Sequence, residues 1–186
     1  MDPIVLKQGI ISVLQKFFQQ NEEFVHNEDH DKTKITVADI YGVDRKNVEQ
    51  YPLIAVARGV MGFQRVGLGS RASFQWAAAK GAQPKETFSN LVNGNMICHC
   101  LSYAGIEAER IAVKAANFLE MSRHELGTLL RIKIENVGIR EESHLKDWPP
   151  DLVDVPVSFD YIYATTWKIT DLGVVIRNIT QITNTT

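Results

Sequence analysis

Residues 155–168, VPVSFDYIYATTWK, decide the fold. Val155, Val157, Phe159, Tyr161, Tyr163, Thr165 and Trp167 alternate with Pro156, Ser158, Asp160 and Lys168, and a period of two places these sets on opposite faces of a β-strand. The pattern predicts a long strand with one face buried and the other mostly wet. Working backwards, Trp148, Pro149 and Pro150 close a polar loop, and 131–139, with Ile132 and Ile134 on one face, reads as a shorter strand. Before it comes the clearest helix. Ala108, Ile111, Ala112, Ala115, Phe118 and Leu119 form one apolar stripe, and Glu107, Arg110, Lys114 and Asn117 occupy the other side. Gly127 weakens this helix.

The N-terminal half supplies the remaining elements. Asp2 and Pro3 make a helix start, and Leu6, Ile10, Val13, Leu14 and Phe17, widened by Ile11 and Phe18, carry a helix to about residue 20. Residues 21–50 are charged and poor in large apolar side chains, so they read as an acidic excursion with a short strand at 34–37. An apolar run at 53–60 is a core strand, 61–79 a long hairpin or projecting loop, and 87–102 a further strand with a turn at Asn93-Gly94. The order predicts an α+β domain over 1–168, a mainly antiparallel sheet of four to five strands with two helices packed on one face. Residues 174–183 are β-branched and nearly uncharged, so 169–186 reads as a C-terminal strand or an exchange arm. A hairpin partner to 155–168 is the competing reading. Truncation after Thr170 separates the two, because only loss of an arm leaves a folded subunit that fails to join its partner.

With 186 residues and 45% hydrophobic content, a single core needs no covalent staple. Cys98 and Cys100, two residues apart on a strand, are poorly placed to bridge. No cationic apolar leader and no apolar run of membrane-spanning length are present, which predicts a reducing, cytoplasmic setting in which the sequons at Asn178 and Asn184 carry no sugar. The net charge of −2 hides blocks of +1 over 1–20, −4 over 21–50, +5 over 51–140 and −4 over 141–186. From Gln50 to Lys85 there is no acid, while Arg58, Arg65, Arg71, Lys80 and Lys85 stand among glycines. Such a segment suits phosphate or an acidic protein surface, with a loop balanced by the chain's own acidic flanks as the plainer reading.

Reactive constellations are weak. Cys98-His99-Cys100 contains metal-ligand types, but a strand sends the cysteines one way and the histidine the other, and neither CxxC nor HExxH accompanies them. Buried thiols acting as small hydrophobes account for the pair. Gly67-Leu68-Gly69 lacks the third glycine and the Lys-Ser/Thr of a phosphate loop. His26 with Glu28, Asp29, His30 and Asp31 offers weak cation ligands or, more simply, a solvated acidic loop; His124 and His144 lie in polar surroundings, and no GxSxG occurs. No catalytic residue, metal or cofactor is predicted.

Four stretches together resemble one family. Residues 51–56 (YPLIAV), 91–100 (LVNGNMICHC), 105–112 (GIEAERIA) and 151–159 (DLVDVPVSF) are similar to the opening strand, central strand, main helix and last strand of phage tail terminator and neck (head–tail joining) proteins. The resemblance covers roughly residues 50–165; the acidic stretch before Tyr51 and the extension after Lys168 depart from the minimal pattern. It implies a structural virion protein, assembled in the host cytoplasm. The subunit forms a homohexameric ring between the tail tube protein and the head–tail connector or neck protein, with a sheath protein as a further partner. DNA passes through such a ring without specific binding, and no membrane is involved. The interface candidates are Arg58, Arg65, Arg71, Phe74, Trp76, Lys80, Lys85, Val174, Ile176 and Ile179, joined by sheet edges. A neck or stopper protein of the same channel is the first alternative, and a small Cys- or metal-dependent hydrolase around Cys98 and His99 the second.

Overall fold

The computed structural model describes residues 3–27, 29–43, 52–65, 71–75, 85–146 and 148–169. Helix α1 (Pro3–Gln19) and a 3-10 turn (His30–Lys32) lead into strands β1 (Thr36–Asp39), β2 (Leu53–Arg65), β3 (Arg71–Gln75) and β4 (Lys85–Ser102). Helices α2 (Gly105–Met121) and α3 (Arg123–Leu130) follow, then strands β5 (Lys133–Ile139) and β6 (Val153–Ile169). Contacts divide the chain into two compact units, one from 1–61 with 93–163, the other from the described residues within 62–92 and 164–186.

The fold is α+β, and the strand order is β1-β2-β4-β6-β5 in a mostly antiparallel sheet. The exception is β1, which runs parallel to β2 in the register Thr36–Leu53 to Asp39–Val56. In the second unit β3 pairs antiparallel with the start of β4. The expected four to five strands and two helices are thus joined by a sixth strand, β3, and a third helix, α3.

Helix α1 buries Leu6, Ile10, Ile11, Leu14 and Phe18, while Val13 and Phe17 are half-buried. Phe17 stacks on Phe118 of α2 at 4.3 Å, α1 packs against β1, and α2 and α3 both pack against β5. The extra helix arises because the helical run breaks at Ser122 and resumes, with Gly127 inside α3. Arg131 takes the left-handed conformation at φ 53° and returns its backbone N–H to the Gly127 carbonyl, closing α3. A Cβ on Gly127 would lie 2.8 Å from the Ile132 carbonyl oxygen, so the glycine is where strand β5 leaves the helix at close quarters.

Two expectations are corrected. There is no turn at Asn93-Gly94, because β4 runs unbroken through both residues. Nor is the polar face wet at the start of β6: Asp154, Pro156 and Ser158 are as buried as Val155, Val157 and Phe159, and Asp160 is half-buried. In β2, Leu53, Ile54, Ala55 and Val56 are all fully buried, so both faces of the sheet are covered there. Leu53 and Ala55 share a cluster with Leu101, Trp148 and Leu152, which carries part of the 140–152 segment onto one face.

The acidic excursion is anchored. Phe24, Ile35 and Val37 are buried, and Glu23 pairs with Arg110 at 2.9 Å and Lys114 at 3.1 Å on α2. Its strand lies at 36–39, two residues beyond the expected 34–37. Lys7 of α1 pairs with Asp39; burial alone would raise that carboxyl, but the Lys7 hydrogen bond, the Tyr41 N–H and the Lys7 charge outweigh it and hold it below its ordinary value. The cap of Asp2 and the segment 170–186, with the proposed arm, lie outside the described residues.

Candidate functional site

The most deeply built polar group centres on Asp154, a lone acid in the apolar run at the start of β6. Its side chain is fully buried. Two backbone bonds, Ser143 N–H to the Asp154 carbonyl at 2.8 Å and Asp154 N–H to the Ser143 carbonyl at 3.0 Å, lay the loop after β5 against β6. The carboxylate then accepts from His99 Nδ1 of β4 at 2.8 Å and from Ser143 Oγ at 3.1 Å, both on Oδ2. Its Oδ1 is buried without a hydrogen-bond partner among the described residues.

The connectivity determines what this group can do. In an acyl-transfer site the imidazole stands between the carboxylate and the nucleophile, so that one ring nitrogen is oriented while the other takes the proton. Here the carboxylate stands between the imidazole and the hydroxyl. Ser143 donates to the carboxylate directly, with no imidazole between them, and the product is a three-way clamp of β4, β6 and the loop.

The thiols are equally unsuited to attack. Cys98 and Cys100 are free and fully buried. Burial pushes the Cys98 thiol up to about 12 and raises Cys100 well above its ordinary value, with the charges of Cys98 and Asp154 adding to the rise. A nucleophilic or metal-binding cysteine needs the thiolate. Disulfide-exchange labelling at pH 8 should therefore find neither thiol reactive in the native protein and both reactive in denaturant. Stoichiometric labelling of the folded chain would revive the Cys-dependent reading.

Among the described residues no group of three or more His, Cys, Asp or Glu is placed to hold a metal. Around His26 the side chains serve the loop itself: the ring Nδ1 meets the Ile35 carbonyl at 3.1 Å, and Asp29 caps the 3-10 turn and pairs with Lys32 at 3.0 Å. His144 Nδ1 lies 3.2 Å from the Leu152 carbonyl, and His124 is exposed. Glu28 and the Gly67-Leu68-Gly69 segment are outside the described residues. No helix among the described residues is long and apolar enough to cross a membrane.

Of the interface candidates, Arg58 is exposed on β2. Arg65, Arg71, Phe74 and Lys85 take backbone positions on β2, β3 and β4; Trp76, Lys80, Val174, Ile176 and Ile179 are outside the described residues. Two exposed apolar residues of β2, Val60 and Phe63, stand between Arg58 and Arg65.

The outer strands of the first unit, β1 and β5, carry features that oppose strand addition. The Val37 carbonyl of β1 accepts from Gln15 Nε2 of α1 at 3.0 Å. Strand β5 has a register break between Glu135 and Gly138, with Asn136 at φ 52°, and Lys133 pairs with Glu135. A short strand, a bulge and edge charges all oppose pairing with another chain.

Sequence reasoning passed over Asp154 and Ser143. The available signal was an acid between Val153 and Val155 in a run otherwise apolar from 152 to 157. No family model matches the chain, and none of the curated proteins matches it.

Proposed function

We propose that this chain is a ring-forming structural subunit of a phage virion, a tail terminator that joins the tail tube to the head connector. The observation that carries the reading is the order and kind of its elements. The four stretches resembling tail terminator and neck proteins occupy β2, β4, α2 and β6, the frame such a subunit is expected to have. The chemistry of the described residues supports it from the other side, since the polar groups at its centre are spent on holding the fold. In this reading the protein works as a homohexamer in the virion neck, with the tail tube protein below and the connector or neck protein above. DNA slides through without specific binding, and a sheath protein is a further partner.

The test is assembly. Particles produced without this protein should yield tails that fail to join heads, and adding the purified chain should restore joining, with labelled subunits at the head-proximal end of the tail in electron micrographs. A label fixed on the head side of the joint indicates the stopper position instead. A chain that never joins tails, whatever its concentration, sinks the reading.

A further inference from the structure

We draw no further inference here: the strongest candidate, the open cleft between the start of α2 and the end of β5 lined by the exposed Ile106, Val113 and Ile139, carries nothing, because nothing in the structure shows what covers it.

Discussion

Asp154→Ala is expected to destabilise the fold by about 1–3 kcal/mol for each of the two donors it leaves without a partner. The substitution strands His99 Nδ1 and Ser143 Oγ at a largely buried site, and releases the loop that pairs with β6 through Ser143. Asp154→Asn should lose less, since an amide oxygen still accepts from both donors. The double variant Asp154→Ala with His99→Ala should fall short of the sum of the two single losses by about 0.5–3 kcal/mol, the range of coupling between groups in contact. Urea unfolding of wild type, the three single variants and the double variant measures these losses. An Asp154→Ala midpoint equal to that of wild type would show that the clamp contributes nothing to stability.

Gly94→Val should be nearly as damaging, for a steric reason. A Cβ at this position would stand 2.6 Å from Tyr161 Oη and 2.7 Å from Cζ. The ring cannot step aside freely, because Tyr161 is fully buried and stacked on Tyr163 with centroids 6.2 Å apart. Overpacking of this kind costs about 1–3 kcal/mol for a methyl group, and valine adds two more carbons. Burial, together with Tyr163, raises the Tyr161 phenol above its ordinary value of 10, against the opposing charge of Arg58. Its hydroxyl is neutral at pH 7 and buried without a hydrogen-bond partner among the described residues. Tyr161→Phe should accordingly be neutral or stabilising, since it deletes an unsatisfied group, and it should relieve part of the Gly94→Ala defect. Full tolerance of Gly94→Val in thermal unfolding would refute the close-contact account.

The same glycine separates local from tertiary information. Asn-Gly between apolar runs is a strong hairpin signal in a short window, but neighbouring residues do not reveal that a tyrosine 67 positions later in the chain lies against that backbone. In β4 the glycine makes room for a ring, and the strand continues. Likewise, the alternation of 155–168 predicts a strand, and β6 is there; what alternation does not encode is that the loop after β5 folds over the polar face and turns Asp154 into a buried clamp.

What the sequence by itself determined is whatever rests on short-range periodicity: helices α1 and α2, strand β6, the α+β class, and the burial of Cys98 and Cys100. These follow because a 3.6-residue or two-residue period commits an apolar face before any partner is specified. The tertiary structure alone decided the parallel place of β1, the third helix, the unbroken β4, and the sharing of Asp154 between His99 and Ser143. Each of these depends on groups distant in sequence meeting at contact range, where excluded volume and the cost of an unsatisfied buried polar group act, and neither is visible along a single stretch of chain.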